Sequence, residues 1–218
     1  MNLFDIVGPV MVGPSSSHTA GAVKIGLVAR TLLGEDVAKA EILFHGSFLA
    51  TGKGHGTDKA IVAGLLGYTP DDKRIPNSLE LAKQAGVSCV FGSIDLGDAH
   101  PNTVKLHLVG VSGKMMDMLA ASVGGGRISV SEIDGMTAHF SAEYPTLIVR
   151  NEDKPGLVAN VTALLQEYQI NIATMQLYRS GRGDQAVMVI ECDEQVPDCV
   201  AVALKQLDGV RDLTYYPG

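Results

Sequence analysis

The chain has 218 residues, 46% of them hydrophobic, and a formal charge of -7 at pH 7, enough to bury a core in one large domain or two small ones. An acidic chain with no long basic run lacks the electrostatic footprint of a nucleic-acid or anionic-membrane binder. No apolar segment approaches the roughly 20 residues of a spanning helix, the N-terminus does not read as a signal peptide, and the odd set Cys89, Cys192 and Cys199 has neither disulfide-framework nor metal-site spacing. A reduced, cytoplasmic globular protein with small-molecule or protein partners is expected.

In chain order, the first informative stretch is Gly13-Pro14-Ser15-Ser16-Ser17-His18-Thr19-Ala20-Gly21. The following residues, 20–33, are apolar and proline-free and stop at Gly34, which reads as a helix capped by one of the serines and closed by a C′ glycine. Free N–H groups at such an N-terminus attract anions, and hydroxyls add donors, so a carboxylate or phosphate would be held there beside His18. Capping alone, the commonest use of serine in that place, needs one hydroxyl, whereas Ser15, Ser16, Ser17 and Thr19 supply four.

A strand is expected at 40–48, followed by a glycine-rich loop, His45-Gly46-Ser47-Phe48-Leu49-Ala50-Thr51-Gly52-Lys53-Gly54-His55-Gly56-Thr57-Asp58-Lys59. Interleaved glycines let backbone approach a ligand, just before a helix at 57–66 that Thr57 or Asp58 can cap. The segment fails the phosphate-loop pattern, because five residues separate Gly46 from Gly52 and Gly54 follows Lys53 where Ser or Thr is required. A Schiff-base role for Lys53 with pyridoxal phosphate is set aside, since no phosphate cup or pyridine partner is recognisable nearby. A further helix is expected at 78–85 and strands at 87–91, 103–111, 127–133 and 136–142, the last two joined by a tight turn at Asp134-Gly135. His107 and His139 fall at solvent-facing strand positions and are given no role. His45 and His100 read as loop-holding residues and Gly124-Gly125-Gly126-Arg127 as a turn.

The chain divides near 143–147, leaving a mixed α+β domain at about 1–143. From 146 to 218 the order is strand 146–150, helix 155–168, strands 171–178 and 185–192, helix 196–207 and strand 210–215, a ferredoxin-like βαββαβ plan. Leu157, Val161, Leu164, Leu165 and Tyr168 share one helical face, Pro155 suits the first helical position, and Ser180-Gly181-Arg182-Gly183 makes a hairpin turn.

Asn151-Glu152-Asp153-Lys154-Pro155-Gly156-Leu157, with Asn171-Ile172 at the next strand, resembles an ACT domain. The resemblance implies a module that pairs with another copy and holds an amino-acid or ion effector, with Asn151, Gly156 and Asn171 lining the site. Asp153 as a cap, Pro155 as a helix start and Gly156 as a packing residue are the structural alternatives, and self-association without a ligand is another. An open four-stranded sheet has an edge to pair or protect.

Together the serine–histidine run, His45-Gly46-Ser47, Thr51-Gly52-Lys53-Gly54-His55-Gly56-Thr57-Asp58 and His100-Pro101-Asn102-Thr103 resemble the beta chain of bacterial iron–sulfur L-serine dehydratases, over essentially the whole chain. The resemblance implies conversion of L-serine to pyruvate and ammonia without pyridoxal phosphate, with a [4Fe-4S] cluster as Lewis acid held by a partner alpha chain. Ser15, Ser16, Ser17, Thr19 and Lys53 would then hold substrate, and His55 and His18 are the candidate bases, His55 preferred because its glycine-flanked loop can approach substrate and His18 orienting substrate or relaying the proton. This chain itself would hold no metal. The N-terminal domain also resembles the allosteric substrate-binding domain of some phosphoglycerate dehydrogenases, which keeps open a regulatory protein that senses serine or a related anion. His18, Lys53 and His55 occurring together favour the enzyme subunit.

Overall fold

The computed structural model describes residues 10–218, apart from the side chain of Lys53. Two compact units divide between Gly135 and Met136.

In the first unit α1 (Ala22–Leu33) ends as expected at Gly34, whose φ of 78° is the left-handed C′ conformation. Its start differs from a plain capped α-helix, because Ser16–Gly21 forms one π-helical turn. β1 (Val37–Phe44) stops short of the expected strand. The segment read as a glycine-rich loop is instead α2 (Gly46–His55), separated by Gly56 from α3 (Thr57–Leu65). Local propensity is poor there, and tertiary contacts impose the helix: Phe48 is buried and Gly46, at φ 55°, lies where a Cβ would be 2.6 Å from the Pro101 carbonyl oxygen. Neither Thr57 nor Asp58 caps α3.

Then follow α4 (Ser78–Gln84), β2 (Ser88–Ser93), β3 (Thr103–Gly110), β4 (Met115–Gly124) and β5 (Arg127–Ile133). β4 is a strand that the sequence reading lacks. The strand order is β2-β1-β3-β4-β5, with β1 parallel to β2 and antiparallel to β3. Alternation buries Val104, Leu106 and Leu108 of β3 and Met116, Met118 and Ala120 of β4 on one face. Helix α1 covers that face, with Val23, Ile25, Val28 and Leu33 fully buried, and α3 packs against α1. The helices touch backbone to backbone: a Cβ on Gly26 would be 2.2 Å from Ile61 O, and one on Gly64 would be 2.1 Å from Val23 O. His107 has a partner, the cross-strand carboxylate of Asp117.

Asp134 and Gly135 have φ of 50° and 76°, as a two-residue turn requires. β6 (Met136–Phe140), two residues shorter than expected, opens the second unit. There β7 (Thr146–Glu152), α5 (Leu157–Glu167), β8 (Ile172–Arg179), β9 (Gln185–Cys192), α6 (Asp198–Lys205) and β10 (Val210–Tyr216) follow the expected βαββαβ order. The antiparallel sheet runs β10-β7-β9-β8. Leu147, Val149, Met188 and Ile190 face Leu157, Val161, Val200 and Leu204 of the helices in one core. On the other face β6 packs on β8 and β9, and buried Glu191 accepts hydrogen bonds from Ser141 N (3.0 Å), Ser141 Oγ (2.8 Å) and Thr174 Oγ1 (2.7 Å). Among the described residues no helix is long and apolar enough to cross a membrane.

Gly26→Ala and Gly64→Ala each force the α1–α3 backbones apart and are expected to cost about 1–3 kcal/mol, outweighing the helix propensity gained. Gly54→Ala, whose Cβ meets nothing within 4 Å inside α2, serves as control and should leave stability unchanged or raised. Urea unfolding of the three variants measures the contrast.

Candidate functional site

The π-helical turn and the α2–α3 junction bring the two loop histidines together. Ser15 Oγ accepts the His18 backbone N–H at 3.1 Å, capping the turn as the serine pattern suggests. The π turn carries the His18 ring toward α2, where Nε2 lies 3.0 Å from Thr51 Oγ1 and 3.3 Å from Ser47 Oγ, while Nδ1 lies 3.5 Å from Ser15 Oγ. Phe48 sits edge-on to the ring with centroids 5.3 Å apart, and the exposed His55 ring is 5.0 Å away at 53°.

His55 is therefore the last residue of a helix, where the sequence suggested a loop. Burial first, then the nearby His55, hold the His18 imidazole below its usual range, partly offset by a hydrogen bond to the Ser47 backbone. Neutral His18 is the form the fold prefers. Because its folded value is lowered, the unfolded chain takes up this proton first as pH falls through about 6.5, so this contribution to stability is lost on the acid side.

Thr19 and Gly13 line a cleft with His55, Asp58, Lys59 and Ile75. Gly13 is required, since a Cβ would sit 2.5 Å from Thr19 Cγ2. Thr19 Oγ1 and Thr57 Oγ1 are buried with no hydrogen-bond partner among the described residues. Ser16 and Ser17 lie half-buried in the same turn, whereas the Lys53 side chain lies outside the described residues. His45 and His100 hold loops: His45 Nδ1 accepts from Leu96 N at 3.3 Å and His100 Nδ1 from Asn102 N at 3.1 Å.

With this geometry in hand, the comparisons are specific. A family model described as serine dehydratase beta chain matches residues 2–88, and one for the ACT domain matches 145–209. The chain is 39% identical over 213 residues to a probable L-serine dehydratase, beta chain, of Bacillus subtilis, covering 98% of this chain and 96% of that one. It is 39% identical over 202 residues to the L-serine dehydratase, beta chain, of Peptoniphilus asaccharolyticus, covering 92% and 91%. This chain belongs to the serine dehydratase beta chain family. A D-3-phosphoglycerate dehydrogenase of Methanocaldococcus jannaschii is 26% identical over 193 residues, 88% of this chain and 36% of that one.

The iron–sulfur cluster that the family implies does not fit this chain's own donors. Among the described residues no three His, Cys, Asp or Glu side chains group as metal ligands. Burial pushes the Cys89 thiol up, and burial with Glu194 and Asp193 pushes Cys192 up to about 11, so a metal would have to displace a tightly held proton at either.

In the ACT unit Asn151 is buried in β7, its Nδ2 donating to Glu152 O at 2.8 Å and its Oδ1 without a partner among the described residues. Gly156, at φ 89°, begins α5 with open space where a Cβ would be. Asp153, a capping candidate by sequence, instead accepts Gly183 N–H at 2.9 Å, and that bond with Arg179 beside it holds its carboxyl below the usual range. Asn171 is not beside Asn151 within one chain. Asn151 pairs with Ala186 at one end of β9, whereas Asn171 binds Asp193 (2.6 Å) beyond Cys192 at the other, about 20 Å along the strand.

Sequence reasoning missed Ser47 and Thr51, the direct partners of His18. Their i, i+4 spacing signals a shared face only once the segment is read as a helix.

His55→Ala removes one of the two causes that lower the His18 value, so the His18 pKa should rise toward, yet stay below, its ordinary value, since burial remains. NMR titration of the full chain with histidine labelled measures it.

Proposed function

We propose that this chain is the beta subunit of an L-serine dehydratase, deaminating L-serine to pyruvate and ammonia in the cytoplasm together with a partner alpha chain that carries the [4Fe-4S] cluster, and inactive alone. The carrying observation is the pairing of His18 and His55 rings, 5.0 Å apart, at the head of a hydroxyl-rich helix N-terminus. A regulatory anion site needs the donors but has no use for two facing imidazoles. In this reading Ser15, Ser16, Ser17, Thr19 and Lys53 take the substrate carboxylate, where N–H and hydroxyl donors also stabilise the charge that develops as the α-proton leaves. The buried Thr19 hydroxyl, without a partner among the described residues, supports a polar ligand there.

His55 takes the α-proton, its exposure at the end of α2 giving it reach, and His18 orients substrate or relays the proton. Loss of the α-proton and the β-hydroxyl as water gives an enamine, which tautomerises and hydrolyses to pyruvate and ammonia. No pyridoxal phosphate is required. The ACT unit self-associates and binds an amino-acid or ion effector through Asn151, Gly156 and Asn171. Asn151 and Gly156 of one copy and Asn171 of another suit a site shared between copies, and the Asn151 Oδ1, without a partner among the described residues, supports a ligand at that loop.

An anaerobic pull-down of the chain from its own cell extract tests the subunit reading. A cysteine-rich partner with iron–sulfur absorbance and serine-dependent pyruvate formation, absent from the isolated chain, is the expected result. Recovery of the chain alone, inactive yet binding serine, would instead make it a sensor. In the assembled complex His55→Ala should abolish turnover with little effect on folding; unchanged activity would remove His55 from the mechanism.

A further inference from the structure

The protons available around His18 can be assigned one by one. Thr51 has a single hydroxyl proton, and the hydroxyl donates to the Ser47 carbonyl one turn earlier at 2.9 Å. Its oxygen, 3.0 Å from His18 Nε2, is thereby left to accept. A bare Nε2 would face the Thr51 lone pairs at 3.0 Å with no proton between them and have the longer 3.3 Å contact to Ser47 Oγ as its donor, whereas a protonated Nε2 satisfies itself and Thr51 at the shorter distance. On the opposite edge, Ser15 Oγ already accepts the His18 backbone N–H at 3.1 Å, so its own proton is free to point at Nδ1, 3.5 Å away.

We infer that Thr51 is a positioning residue: with Ser47 beside it, it holds the His18 ring as the Nε2–H tautomer and leaves Nδ1, next to Ser15 Oγ, as the nitrogen that takes a proton. Its part in turnover rests on the serine-dehydratase reading above, but the tautomer itself does not. Thr51 touches neither substrate nor the reacting atoms and acts through His18. Among the described residues the ring's other neighbours are Phe48, which offers no hydrogen bond to a ring nitrogen, and His55, a titratable group that stacks at an angle on it. A proton on Nδ1 would arrive on the side where Ser15 opens the turn, so the Ser15 hydroxyl and the imidazole form one relay. Ser47 Oγ, 3.3 Å from Nε2, shares the same N–H, and its own proton can go to Thr51 Oγ1, 3.4 Å away.

Thr51 is exposed, so its substitution leaves the core intact. Ring-nitrogen NMR of the full chain, labelled at histidine and held above the His18 pKa, reads the tautomer directly. Wild type should show His18 protonated at Nε2 and bare at Nδ1. Thr51→Val should mix the two tautomers, and Thr51→Ser, which keeps the hydroxyl, should restore the wild-type pattern. In the assembled complex Thr51→Val should lower kcat roughly ten- to a hundredfold, the size of one hydrogen bond to a group that becomes charged, with KM for serine nearly unchanged. Thr51→Ser should recover most of that loss. A wild-type His18 protonated at Nδ1, or a Thr51→Val chain with unchanged tautomer, overturns the proposal. Because the NMR needs no turnover, it decides the tautomer even where the wild-type complex fails to make pyruvate, a result that would count against the proposed reaction alone.

Discussion

The contact on which the N-terminal unit depends is the backbone-to-backbone crossing of α1 and α3 at Gly26 and Gly64. A Cβ at either position would overlap main-chain atoms of the other helix, so no side chain larger than hydrogen permits this separation. The crossing lies about one turn from the start of α1 and two turns from the start of α3. Both segments that carry the histidine pair lead directly into those starts: the serine-rich π turn into α1, and His55-Gly56 into α3. A separation of 5.0 Å between imidazole rings is therefore inherited from a crossing deeper in the core. A shift of even an ångström there would open the histidine pair, which is why two glycines remote from the pair matter to it.

The same close approach explains the electrostatics. Packing the turn against α2 takes the His18 ring partly out of water, and the neighbouring imidazole adds a second penalty on charging it. Thr51, Ser47 and Ser15 offer hydrogen bonds without adding charge. The result favours a neutral imidazole with both nitrogens facing hydroxyls, the arrangement on which the proposed proton relay draws. His45 shows the contrast: its ring is spent on the Leu96 amide and holds a loop.

Much of the fold was legible in the sequence because its signals are local. The ACT unit is written in period-2 strands, an amphipathic helix and glycine turns, and each was read within a few residues. Two elements were not. β4 is built on Met116, Met118, Ala120 and Ser122, which alternate correctly but include weak strand formers, and its identity comes from pairing with β3 and β5. Helix α2 contains Gly46, Gly52 and Gly54, a composition that favours a loop until Phe48 is buried and Gly46 seats on Pro101. That single misreading hid part of the site. Residue types alone pointed to His18 and His55, but Ser47 and Thr51 become partners of His18 only when four residues make one helical turn. The Asp153 cap failed for a different reason, since the distant Gly183 amide competes for the same carboxylate.

The ACT unit carries a geometric constraint of its own. A strand length of about 20 Å separates the Asn151 end of the sheet from the Asn171 end, more than a small amino acid can span. A site that uses Asn151, Gly156 and Asn171 together therefore needs two chains, with one sheet end set against the opposite end of its neighbour. Any ligand bound in such a site contacts both copies and is lost when they part. Binding and self-association are then one linked equilibrium: the ligand favours the paired state by its differential affinity for it, and the paired state raises ligand affinity by the same factor. The exposed edges, β8 and β10, are where such pairing would protect unpaired backbone.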